Sequence, residues 1–142
     1  MLDVNVLVYA QRGGTPEHDQ VGAWLQDVAN ASAPFGLSTL VLSGALRILT
    51  HPRVFANPTP LNDALTFIHE LQARPNCVEI APGARHWEIF SGLCETTNAT
   101  GNEIPDAYLA ALAIESGSDW ITTDAGFARY AGLRYSHPLT YS

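Results

Sequence analysis

Residues 104–124 read Ile-Pro-Asp-Ala-Tyr-Leu-Ala-Ala-Leu-Ala-Ile-Glu-Ser-Gly-Ser-Asp-Trp-Ile-Thr-Thr-Asp. Ile104-Pro105-Asp106 opens a helix, because proline is tolerated in a first helical turn, and alanine and leucine carry it through Ile114. Gly117 is placed to end that helix, since glycine readily adopts the left-handed conformation of a C-terminal cap. Trp120-Ile121-Thr122 then reads as a strand. A helix feeding a short apolar strand is the repeating unit of a parallel sheet, and the same alternation continues toward the N-terminus.

Short apolar runs at 33–37, 77–81 and 119–122 are the expected strands, with helical patterns between them. After Pro82-Gly83, Trp87, Phe90, Leu93 and Cys94 have helical spacing, and Thr96 to Gly101 is a polar turn. Thr59-Pro60 starts a helix carrying Leu61, Leu65, Ile68 and Leu71 that stops near Arg74-Pro75. Another runs from about Thr39 to Thr50 and ends before His51-Pro52, because a residue preceding proline is pushed out of the helical region. Thr15-Pro16-Glu17 opens a further helix with threonine as N-cap, and Val21, Trp24, Leu25 and Val28 form its apolar face. Val4 to Ala10 is apolar throughout, and periodicity does not separate a buried strand from a buried helix there. The expected fold class is α/β, a parallel sheet with helices on both faces.

The 142 residues suit one domain, 1–142, and 46% apolar with 15% charged residues excludes a disordered chain. No stretch approaches the ~20 consecutive apolar residues that cross a bilayer, and Asp3 stands where a leader would carry basic residues. The expectation is an uncleaved cytoplasmic protein. Fourteen acids against seven basic residues, all arginine, give a formal charge of -7, so a polyanion would be repelled unless cations reverse the field locally. Cys77 and Cys94 are too far apart for a zinc or redox pair and read as buried thiols.

Ligands of α/β sheets bind beyond the carboxyl ends of the strands, which directs attention to Asp3 and Asp124. Three segments each set one aspartate among apolar residues: Leu2-Asp3-Val4-Asn5-Val6-Leu7, Pro105 to Ala113 with Asp106, and Thr122-Thr123-Asp124-Ala125-Gly126-Phe127. In isolation, Asp106 is explained by the helix dipole and Asp124 by a turn or cap. Asp3 is different, because a carboxylate within an apolar segment must be solvated or paired.

Taken in order, the D-x-N-x-L at Asp3, the R-x-x-T-x-P from Arg47 to Pro52, the D-A-x-L-A-A-L-A helix and the T-x-D-x-x-F at Thr122 resemble the PIN-domain ribonucleases. The resemblance is closer to the VapC-type toxins of bacterial toxin–antitoxin pairs and runs nearly end to end. It implies a PIN-like three-layer sandwich around a sheet of four or five parallel strands. It also implies that Asp3, Asp106 and Asp124 hold Mg²⁺, or Mn²⁺, for endonucleolytic cleavage of RNA. Asn5 and Thr122 are the matching positioning residues, and strand alternation would let the Thr122 hydroxyl fix the Asp124 carboxylate. A cognate VapB-type antitoxin and a homodimer are implied as partners. An oxygen-only ligand set suits magnesium, and such an ion would let an acidic pocket accept a phosphodiester.

One part of the pattern is missing. The glutamate usual three residues before the middle arginine is Gly44, and Glu103, one helical turn before Asp106, is the possible substitute. Asp119 lies five strand residues from Asp124, roughly 16 Å at ~3.3 Å per residue, too far to share its ion. Arg12, Arg47 and Arg129 are candidates for phosphate contacts. Two other readings stand beside the nuclease. One is a PIN-fold RNA- or protein-binding module whose catalysis was lost with the glutamate. The other is a phosphatase with Asp3 as nucleophile, disfavoured because Asn5 replaces its second acid and the chain has no lysine.

Overall fold

The undecided N-terminal run is a helix, α1 (Val4–Arg12), because Asp3 caps it: the carboxylate Oδ1 accepts from the Val4 N–H at 2.7 Å. The computed structural model describes residues 1–141 and contains five more helices, α2 (Pro16–Asn30), α3 (Thr39–Leu49), α4 (Leu61–Gln72), α5 (His86–Thr97) and α6 (Glu103–Ser116). The strands are β1 (Phe35–Leu37), β2 (Cys77–Glu79), β3 (Trp120–Ile121) and β4 (Tyr135–Ser136). β4 escapes the sequence reading because two residues carry no alternation to detect.

β1 pairs in parallel with β2, Phe35 opposite Cys77, and β3 pairs in parallel with β4, Trp120 opposite Tyr135. Met1–Asp3 lies between the two pairs. The Leu2 N–H donates to the Gly36 carbonyl at 3.1 Å, the Asp3 N–H to Ile121 at 3.0 Å, and the Ile121 N–H to Met1 at 2.9 Å. Where the sequence suggested one sheet of four or five strands, the structure thus has two short parallel pairs tied together through residues 1–3. The strands are shorter than the apolar runs, and β1 starts late in its run but ends with it at Leu37. Ser38 follows β1 and its hydroxyl accepts from the Leu40 N–H at 3.2 Å, capping α3, just as Asp3 turns the chain into α1. Polar helix caps thus follow the carboxyl ends of β1 and of residues 1–3.

The helices follow the expected spans closely, with two exceptions. Thr59 does not cap α4; Pro60 precedes that helix without a side-chain bond. The Thr59 hydroxyl instead donates to Gln11 Oε1 at 2.8 Å. The polar turn after α5 starts later than expected, at Asn98, whose φ of 51° closes the helix in the left-handed region.

α6 is buried nearly all round: Ala107, Ala110, Ala111 and Ala113 are fully enclosed, with Leu109 and Leu112 beside them. Small side chains let neighbouring elements approach, so this helix is held from several sides and its first turn is fixed. α5 packs along it, with the buried His86 ring bonded through Nε2 to the Tyr108 carbonyl at 3.0 Å. Among the described residues no helix is long and apolar enough to cross a membrane.

Candidate metal centre

Asp3 is a buried carboxylate anchored by several hydrogen bonds. It is 6% exposed, and its Oδ2 accepts from the Thr122 hydroxyl at 2.7 Å and from Asn5 Nδ2 at 3.2 Å. Asn5 also reaches Thr122 Oγ1 at 3.4 Å and accepts the Thr123 N–H at 3.2 Å. The Thr122 hydroxyl accepts in turn from the Asp124 backbone N–H at 3.0 Å. The sequence reading gave Thr122 to the Asp124 carboxylate. It serves Asp3 instead, because residues 1–3 pair with β3 directly and bring the buried acid beside it.

Asp124 itself is exposed and caps the 3₁₀ turn Ala125–Arg129, its Oδ1 accepting from the Gly126 N–H at 2.8 Å. The plainer reading of this residue as a cap is therefore realised, and only one of its oxygens is used. Asp106, half-buried in the first turn of α6, makes no side-chain hydrogen bond to the described residues.

Asp3 and Asp106 both feel the charge of Asp124. Burial is the main cause that raises Asp3 to about 6, opposed by the Thr122 and Val4 hydrogen bonds and reinforced by the charges of Asp106 and Asp124. Asp106 is raised too, first by burial and then by Asp124. Carboxylates pushed up by burial and by each other are what a hard cation would relieve, and oxygen-only donors select magnesium or manganese over zinc. Among the described residues no three His, Cys, Asp or Glu side chains stand close enough to clasp a metal together. Magnesium binds through one or two carboxylates and keeps several waters, so a tight three-carboxylate clasp is not what it requires.

A family profile described as PIN domain matches residues 1–133. The chain belongs to the PIN domain family. Ribonuclease VapC43 of Mycobacterium tuberculosis is 44% identical over 138 residues, 97% of this chain and 94% of the relative. Ribonuclease VapC25 of the same organism is 38% identical over 138 residues, 97% of each chain. The crystal structure of VapBC2 from Rickettsia felis bound to a DNA fragment from their promoter matches with a TM-score of 0.68 over 96% of both chains. At 18% identity that likeness concerns the fold, an α/β PIN fold.

Within this PIN domain, the position of the missing glutamate is filled from the other side. A Cβ added at Gly44 would meet Val4 Cγ2 at 3.0 Å, so Val4 occupies the space between α1 and α3. Gly44→Glu is expected to lower stability by about 1–2 kcal/mol through overpacking, and Val4→Ala in the same chain to recover it. Equal thermal midpoints for the two chains would show that the contact is slack.

Glu103 is engaged elsewhere as well. Its Oε2 accepts from Arg129 Nη1 at 2.6 Å and its Oε1 from the Thr100 N–H and hydroxyl, both at 3.3 Å. Of the other arginines singled out, Arg12 is committed to the Asn57 carbonyl at 2.7 Å and lies over the Phe55 ring at 4.0 Å. It pins the loop before α4. Arg47 is exposed on α3. Asp119, already judged too far away, is bonded to Arg134 and Tyr141, both at 2.8 Å.

Proposed function

We propose that this PIN domain is a metal-dependent endoribonuclease, the toxin of a toxin–antitoxin pair. The observation that carries the reading is the buried Asp3, locked by Asn5 and Thr122, within electrostatic reach of Asp106 and Asp124. The ribonuclease names of relatives up to 44% identical support it. Asp3, Asp106 and Asp124 would hold Mg²⁺ or Mn²⁺. When bound, such an ion supplies the Lewis acidity that activates water and stabilises the leaving oxygen of a phosphodiester.

The chain's own residues do the rest. Thr122 and Asn5 keep the Asp3 carboxylate in one rotamer, so its free lone pairs face a fixed direction. Asp124 spends Oδ1 on its cap and keeps Oδ2 for a ligand or a water. Asp106 enters from a helix too well packed to move. Glu103 is a fourth oxygen donor only if it exchanges Arg129 for the ion. We infer further that the two strand pairs and residues 1–3 act as one parallel platform between helical layers. The working protein would be a cytoplasmic homodimer held in check by a VapB-type antitoxin.

The test is cleavage of structured RNA by the purified protein in Mg²⁺, in Mn²⁺ and in chelator, against an identically prepared Asp106→Asn control. Metal-dependent cleavage by the wild type alone supports the enzyme. A second reading, an RNA-binding PIN module without turnover, rests on the absent carboxylate at Gly44. RNA binding with no cleavage under any metal would favour it.

A further inference from the structure

We propose that Arg129 anchors the RNA phosphate at this site; the assignment rests on the nuclease reading for its substrate and on the geometry of Arg129 for its place. Arg129 is held on two sides, Nε donating to the Gly126 carbonyl at 2.7 Å and Nη1 to Glu103 at 2.6 Å. Nη2 donates to no group among the described residues. A Cβ built on Gly126 would lie 2.7 Å from that nitrogen and 2.9 Å from Asp124 Oδ1, so both flank the same bare Cα. The guanidinium therefore borders the carboxylates with one NH₂ unspent, and its charge reaches Asp106 as well.

Neutralising the carboxylates at rest does not need such a seat. A guanidinium oriented by two bonds, with the remaining NH₂ projecting beside the acids, has the fork geometry that grips phosphate. The other arginine with a carboxylate partner, Arg134, is bonded to Asp119 and the Gly117 carbonyl, well away from the three acids. In a chain of net charge -7 without lysine, Arg129 is a cation that stands beside Asp124 and whose charge reaches Asp106, where a phosphodiester at the acids would need one.

The test is fluorescence anisotropy of a labelled 12-nucleotide single-stranded RNA in Ca²⁺ across a salt series, with wild type, Arg129→Ala and Arg129→Lys. Arg129→Ala is expected to raise Kd at least tenfold and to reduce the salt slope by about 0.7, the share of one phosphate on a single strand. Arg129→Lys should restore the slope and part of the affinity. The Mg²⁺-induced rise in melting temperature should not fall, because loss of Arg129 frees Glu103 and removes a cation that competes for the acids. Unchanged Kd and slope, wild-type protein without salt-dependent binding, or a variant whose only change is in metal affinity would each overturn the assignment. Cleavage is scored separately. Arg129-dependent binding without metal-dependent cleavage leaves the anchor and removes the nuclease, whereas cleavage with Kd and slope indifferent to Arg129 does the reverse.

Discussion

Asp106→Asn should lower metal-dependent RNA cleavage by at least about a hundredfold while the melting temperature in chelator stays level or rises. A lost metal ligand removes several kcal/mol of charge stabilisation from the reaction, and each 1.36 kcal/mol is a tenfold change in rate. The fold should not suffer. The Asp106 side chain makes no hydrogen bond to the described residues, and its carboxylate is raised by burial and by Asp124, so the neutral amide relieves repulsion. Loss of activity together with unfolding would make the residue structural. Retained cleavage would remove Asp106 from the metal centre.

Asp3 yields the second large effect, in stability against pH. Its carboxyl is raised from 3.8 to about 6 in the folded chain, chiefly by burial, so folding favours the protonated form. The contribution is fully present below the unfolded value of 3.8 and is lost as pH rises through 6. By neutral pH the ionised group costs about 3 kcal/mol, from roughly two pH units at 1.36 kcal/mol each. In chelator, the melting temperature of wild type relative to Asp3→Asn should therefore fall by roughly 10 °C between pH 4 and pH 7. The exposed acids Glu103, Glu115 and Asp119, shifted down by their hydrogen bonds, are present in both proteins and cancel in the difference. Magnesium competes with the proton, and its stabilising effect should grow over the same interval. A flat difference curve would mean that water reaches the Asp3 carboxylate freely.

Much of this was legible in the residues, and the reasons differ from place to place. Gly117 and the alanine-rich run before it announced α6 because propensity and capping act locally. Asp3 was singled out because a charge inside an apolar run has few explanations, whereas Asp106 and Asp124 each have a plainer reading alone and were added by the joint pattern and the resemblance it carries. Val4–Ala10 was not legible, since an apolar stretch has no period to read, and the deciding event is the bond from the Val4 N–H to Asp3. Nor were the partners of Thr122, Thr59 and Arg129. Spacing along a chain gives a side chain's face but not which distant segment arrives there: Thr59 meets Gln11 and Arg129 meets Glu103, 48 and 26 residues away. β4 was missed for a further reason: two residues carry no alternation to detect, whereas the equally short β3 was read from the apolar Trp120-Ile121 that follows Gly117.

The bond from the Thr122 hydroxyl to Asp3 spans 119 positions of the chain. Synthesis proceeds from the N-terminus, so the first acid leaves the ribosome long before the residue that locks it. Until β3 has emerged and closed on residues 1–3, Asp3 has neither its partner strand nor its hydroxyl, and Asp124 does not yet exist. On the proposed reading, a nascent chain that stops before β3 lacks part of its site. For a protein whose target would be RNA, the message and the ribosome that make it are the nearest substrates, and this order of assembly would spare both until β3 has emerged.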